Sequence, residues 1–134
     1  MLLIDTSVWI NVFRDRSGDT RHHLETLIAE QDVVLSRFTQ LELLQGCRDQ
    51  REWELLQSYL AGQDYLDLNS EAWVSAARIY YDLRRQGLTV RSPIDCCIAQ
   101  IALDCKVTLV HCDRDFETIT QVRPLQQHFF KTNL

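Results

Sequence analysis

Leu2, Leu3 and Ile4 form an unbroken apolar triplet at the start of the chain, and the run stops at Asp5. A short apolar run without alternation is the pattern of a strand covered on both faces, as in a parallel sheet flanked by helices. Comparable runs recur at Val33-Val34-Leu35, Tyr65-Leu66-Asp67-Leu68 and Thr108-Leu109-Val110, with a last candidate around His128–Phe130. Segments with helical spacing lie between them. This alternation predicts an α/β fold: a parallel sheet of four to five short strands with helices on both faces, in one domain over residues 1–134.

The intervening segments read as follows. Thr6 and Ser7 are placed to cap a helix that runs to about Phe13, with Val8, Trp9, Val12 and Phe13 on one stripe. A second helix, from Thr20 to about Glu30, buries Leu24, Leu27 and Ile28. Thr39-Gln40-Leu41-Glu42 has the form of a capping box opening a helix that ends at Gly46. A further helix aligns Trp53, Leu56 and Leu60 before Gly62. A long one from Ser70 to Gly87 is expected to bury Trp73, Ala76, Ala77, Tyr80 and Leu83. Ser92-Pro93 is a strong start for a helix burying Ile94, Ile98, Ile101, Ala102 and Cys105. A turn or short helix near Glu117–Thr120 completes the pattern.

Composition narrows the function classes. No apolar run approaches the ~20 residues that span a bilayer, and no charged segment followed by a long apolar stretch marks a signal peptide, so the cytoplasm is expected. Five cysteines without a CxxC spacing give neither a disulfide framework nor a structural zinc site. The net charge of −5 opposes nucleic-acid binding at first sight. Acids that converge on a cation would cancel much of that field locally. Twelve of the fourteen basic residues are also arginine, the side chain suited to forked contacts with phosphate.

The acids carry the chemistry. Asp5 and Asp113 each follow a strand, whereas Glu42 and Asp95 each open a helix. Each has an ordinary structural reading: a cap, a capping-box partner, or a charge favoured by a helix dipole. In a parallel sheet, however, strand C-termini and the helix N-termini that follow them share one edge, which borders the ligand crevice. Four carboxylates would meet there, with Asp115 beside the fourth. Like charges gathered together raise one another's energy unless a cation fills the cluster. An all-oxygen donor set without His or Cys favours Mg²⁺ or Mn²⁺.

Ile4-Asp5-Thr6-Ser7, Thr39-x-x-Glu42, Pro93-x-Asp95 and Cys112-Asp113-Arg114-Asp115-Phe116 resemble, in this order, the PIN-domain family and its VapC-type toxins. The resemblance runs from Met1 to about Phe116. It implies an endoribonuclease using Mg²⁺ or Mn²⁺, with Asp5, Glu42 and Asp95 as an acidic triad. It matches Asp113 to a more variable fourth acid, with Asp115 as its rival. Ser7 matches a hydroxyl near the metal. It further implies an RNA substrate, a VapB-type antitoxin that inserts a segment into the active site, a homodimer, and no membrane partner. Arg14, Arg16, Arg37, Arg91 and Arg114 are candidates for gripping RNA by sequence proximity, Arg114 being nearest the acids. The chain departs from many relatives in Cys96-Cys97 after the third acid and Cys112 before the fourth; these read as packing variation. Two rival readings are a receiver-like Mg²⁺-binding domain and a non-catalytic interaction module. The former wants paired acids after the first strand and a lysine after a late one, which Thr6 and the positions of Lys106 and Lys131 do not supply. Metal titration separates the latter.

Overall fold

The computed structural model describes residues 1–132. Five strands, β1 (Leu2–Ile4), β2 (Val33–Ser36), β3 (Tyr65–Leu66), β4 (Thr108–His111) and β5 (Gln127–Phe129), form one sheet in the order β3-β2-β1-β4-β5. Every neighbouring pair is parallel. Seven helices connect and cover them: α1 (Thr6–Arg14), α2 (Asp19–Ile28), α3 (Arg37–Gln45), α4 (Gln50–Ala61), α5 (Ala72–Arg85), α6 (Pro93–Cys105) and α7 (Arg114–Ile119).

Strand alternation sorts the core into two layers. Leu3, Val34 and Leu109 face one side, where they pack with Ile79 and Leu83 of α5, Ile98 and Ile101 of α6, and Phe116 of α7. Leu2, Ile4, Leu35 and Val110 face the other, with Val8, Trp9 and Val12 of α1, Leu24 of α2, Leu43 of α3 and Leu60 of α4. The apolar triplet at the N-terminus is therefore the central strand, buried on both faces as its composition requires.

The strand order also locates the site. From β1 the chain steps outward through β2 and β3, then crosses back to place β4 on the other side of β1. Beyond the carboxyl ends of β1 and β4 the connections diverge to opposite faces and leave a crevice. Asp5 follows β1 and Asp113 follows β4 within two residues.

Several local expectations are corrected. Asp5, not Thr6 or Ser7, is the N-cap of α1. Helix α3 starts at Arg37 with Ser36 as its N-cap, so Thr39 and Glu42 form no capping box. Asp113 caps α7, which begins at Arg114 instead of near Glu117. Helix α5 begins at Ala72 and buries Ala72, Ala76, Ile79 and Leu83; Trp73 is 53% exposed and Ala77 is exposed too. That stripe has the same helical spacing as the expected one, turned by one residue, and it puts two alanines inside where α5 packs on α6. Trp73 lies edge-on to Phe38, 6.3 Å between ring centroids. Phe13 is also exposed. Cys105 is exposed because α6 ends there: Lys106 takes a left-handed conformation (φ 55°), and Val107 is buried instead. Strand β3 is two residues long, and β5 begins one residue before His128.

Candidate active site

Each acid is held by a recognisable local device. Asp5 is 6% exposed, and its Oδ2 accepts from the Ser7 backbone N–H (3.0 Å) and from the Ser7 hydroxyl (2.6 Å). The Ser7 oxygen in turn accepts from the backbone N–H of Cys112 (2.9 Å). One hydroxyl thus ties the first turn of α1 to the exit of β4, across 105 residues of sequence. Asp5 lies above its ordinary pKa because burial disfavours the charge, against the opposing Ser7 hydrogen bonds.

Glu42 lies in the second turn of α3, where the Thr6 hydroxyl donates to its Oε1 (2.9 Å). Thr6 Oγ1 is also 3.0 Å from the buried Thr39 hydroxyl. Burial raises the pKa of Glu42, the Thr6 bond lowers it, and the charge of Asp5 raises it again. Thr39 and Glu42 are therefore joined through Thr6 of another helix.

Asp95 sits in the first turn of α6, behind the N-cap Ser92. Its pKa is raised to about 7, first by burial and then by the charges of Asp5, Asp113, Asp115 and Glu42. Asp95 thus sits at a rim where the charges of the other four acids reach it. Within that rim the tightest group is Asp95, Asp113 and Asp115, which offer carboxylate oxygens within 4.8 Å of one another. Among the described residues no such group includes Asp5 or Glu42, which border it.

Asp113 and Asp115 are not free carboxylates. Asp113 Oδ1 accepts from the Asp115 backbone N–H (2.9 Å), and its Oδ2 from Arg91 Nη2 (2.6 Å). Asp115 Oδ2 accepts from both the Nε–H (3.1 Å) and the backbone N–H (3.0 Å) of Arg91. Their basic partner, Arg91, comes from the connection between α5 and α6. Arg114 is exposed and makes no ion pair among the described residues. Arg37 stacks on Tyr65 and faces Asp67.

Two contributors escaped the sequence reading. Thr6 holds Glu42, and nothing in its own neighbourhood of the chain shows that. His111 is fully buried between the rings of Phe116 and Phe129, and its Nδ1 accepts the Asp113 backbone N–H (3.1 Å). Nε2 therefore carries the proton and donates to Gln127 Oε1 (2.6 Å). Burial lowers the pKa of His111 and keeps the ring neutral. Strand alternation from Leu109 was the available signal, since it places residue 111 on the same inward face.

Five carboxylates from four segments thus converge where two central strands end. Comparison with known proteins agrees with this architecture: the PIN-domain family model matches residues 2–121. The chain belongs to the PIN-domain family. Among curated members, it is 32% identical to Ribonuclease VapC11 of Mycobacterium tuberculosis, over 98% of this chain and 100% of that protein. The PIN fold is shared with VapBC-1 from nontypeable Haemophilus influenzae (TM-score 0.77, 20% identity, 98% of each chain). It is shared too with FitAB bound to an IR36 DNA fragment (TM-score 0.75, 21% identity, 100% of this chain and 99% of that one).

The donor set suits a hard divalent cation. Its ligand atoms are carboxylate oxygens without sulfur or imidazole, and they are spaced closely enough to share one ion.

Proposed function

We propose that this chain is a Mg²⁺- or Mn²⁺-dependent endoribonuclease and the toxin of a toxin–antitoxin pair. The observation that carries the reading is the convergence of Asp95, Asp113 and Asp115, bordered by Asp5 and Glu42, at the β1/β4 switch point. Asp95 and Asp113 would hold the ion, with Asp5 and Glu42 bordering it and Asp115 at its edge, one oxygen tied to Arg91. A divalent cation there supplies an acidified water and positive charge for the scissile phosphate. The chain's own residues do the remainder. Ser7 keeps Asp5 oriented, and Thr6 occupies one oxygen of Glu42, leaving Oε2 to take a proton from the attacking water. Burial favours the neutral form of Asp95 without metal, so the carboxylate charge is expressed when a cation arrives.

A VapB-type antitoxin is the proposed partner. Support comes from the complexes named for the structural relatives and from a groove of about 680 Å³ between α1, α2 and α4. Trp9, Val12, Phe13, Leu24, Leu55 and Tyr59 line it, an apolar floor for an amphipathic segment. Exposed Trp73 and Val74 on α5 offer apolar surface for a second copy in a homodimer. No helix among the described residues is long and apolar enough to cross a membrane. With an RNA substrate, the cytoplasm is the proposed place of action.

The test is cleavage of total RNA by the purified chain, freed of any partner, with Mg²⁺, Mn²⁺ or EDTA. Internal cleavage with either metal, lost in EDTA and in Asp5→Asn and Asp95→Asn, is expected. Cleavage unchanged by excess EDTA, with the Asp5→Asn protein clean of contaminating nuclease, overturns the reading.

A further inference from the structure

Arg91 precedes the N-cap of α6, and its side chain is 77% exposed. Three of its donors nevertheless land on two carboxylates of the candidate site: Nη2 on Asp113, and both Nε and the backbone N–H on Asp115. These contacts differ in how readily they can be given up. Asp115 Oδ2 is gripped by the main chain as well as by the side chain, so releasing it requires the α5–α6 connection to move. Asp113 Oδ2 is covered only by the outer nitrogen of an exposed, flexible side chain, which can rotate into water without disturbing any backbone.

The covered atom matters. Asp113 Oδ1 is fixed by the Asp115 backbone N–H in the cap of α7, whereas the contact on Oδ2 can be given up, so Oδ2 is the oxygen that can be cleared for a cation. Asp113 and Asp115 offer their oxygens within 4.8 Å of Asp95, so a divalent ion there would compete with the Arg91 guanidinium for the same lone pairs. We propose that Arg91 is an internal counter-cation. It covers Asp113 Oδ2 in the metal-free protein and is displaced from it, but not from Asp115, when the divalent ion binds. In this arrangement Asp113 is the metal ligand and Asp115 the tether. The released Nη2 stays next to the ion, where a substrate phosphate needs a donor. The inference rests on the metal-site reading above and deepens it. An ordinary rim ion pair has the reverse consequence: its loss leaves metal affinity unchanged or weakens it by freeing Asp115 to swing.

Titration calorimetry with Mn²⁺ alone on the full chain separates the two. Arg91→Gln is expected to bind Mn²⁺ about fivefold more tightly than the parent, the equivalent of the upper end for an exposed ion pair. Arg114→Gln, which removes the same charge one residue from Asp113, is expected to change affinity by less than about threefold, a fraction of that energy. Arg91→Gln binding no more tightly than the parent, or Arg114→Gln tightening as much, overturns the proposal. Should Arg91→Gln fail to fold, the Arg91 side-chain NMR signals of the parent decide. Saturating Mg²⁺ should free the Nη2 protons to exchange and leave Nε–H in place; Nη2 still protected would sink the idea. A parent whose Mn²⁺ binding is absent, or unaffected by Asp95→Asn, removes the metal-site reading itself. A parent that binds through Asp95 without the Arg91→Gln gain removes only this inference.

Discussion

Asp113 and Asp115 differ by two positions, and the sequence Asp-Arg-Asp offers little to choose between them. Their surroundings do. Asp113 caps α7 through Oδ1, and its backbone is pinned by buried His111, whereas Asp115 spends one oxygen on two Arg91 donors. Asp113→Asn can keep the cap through its amide oxygen while removing a charge from the proposed metal site. It is expected to lower cleavage at saturating Mn²⁺ by about 100-fold, and Asp115→Asn by about tenfold, the two ends of the range for weakened metal sites. Single-turnover rates on one defined RNA measure this, and the reverse order would exchange their roles. At this scale the sequence was legible wherever an acid closed a strand or opened a helix, as with Asp5, Asp95 and Asp113. Thr6, His111 and Arg91 were not legible as partners. Thr6 reaches Glu42 across 36 residues, and Arg91 reaches Asp113 and Asp115 across 22 and 24, pairings that only the fold sets; the His111 bond to Asp113 spans two residues but needs the ring buried under Phe116 and Phe129.

Helices were legible as elements but not always in phase. In α5, residues 73, 76, 77, 80 and 83 and residues 72, 76, 79 and 83 are equally good stripes. The observed phase puts Ile79 and Leu83 into the core shared with α6, and Trp73 turns outward. Ile79→Ala is therefore expected to cost about 2–5 kcal/mol in urea unfolding, as a truncation inside the core. Trp73→Ser should stay within about 1 kcal/mol, as a mostly exposed site. Equal costs would contradict the observed phase. Helix α3 raises a second issue, because a Thr-x-x-Glu pattern there has a tertiary role instead of a capping one. Ser36 Oγ accepts the Thr39 backbone N–H (3.2 Å) and is the true cap, so Ser36→Ala should destabilise by about 1–2 kcal/mol. Glu42→Gln retains an oxygen for Thr6 and should unfold within about 0.5 kcal/mol of the parent while losing cleavage. A Glu42→Gln protein that melts like Ser36→Ala would restore the capping box.

Across the whole molecule, the acid cluster turns into a pH dependence of stability whose sign can be worked out. Asp95 shifts from 3.8 in the unfolded chain to about 7 in the folded, metal-free protein, and Asp5 and Glu42 shift in the same direction. Between those values the folded state holds protons that the unfolded chain has released. Stability from these groups is therefore full below about pH 4 and falls as pH rises towards 7. Three groups act oppositely. Asp15, lowered by hydrogen bonds from Ser17 and Thr20, keeps its contribution until the pH falls below the ordinary carboxylate range. Asp82, lowered by its hydrogen bonds with Arg78 and Arg123, loses its contribution only as pH drops below the ordinary carboxylate range. Buried His111, kept neutral, adds stability as pH rises through the ordinary histidine range of about 6.5, inside the same window as Asp95. A single melting curve cannot separate His111 from Asp95, but the difference between parent and Asp95→Asn can, because both proteins carry His111. In EDTA the two are expected to melt together at pH 4. At pH 8 Asp95→Asn should be the more stable by about 1–2 kcal/mol, a full shift discounted for the solvent around a half-buried group. Mg²⁺ at about 100 times its dissociation constant should then raise the parent by about 2.7 kcal/mol and the variant by much less, since only the folded state binds it. If Asp95→Asn melts below the parent at pH 8 in EDTA and Mg²⁺ lifts both equally, then Asp95 is a helix-start charge and the cluster holds no metal.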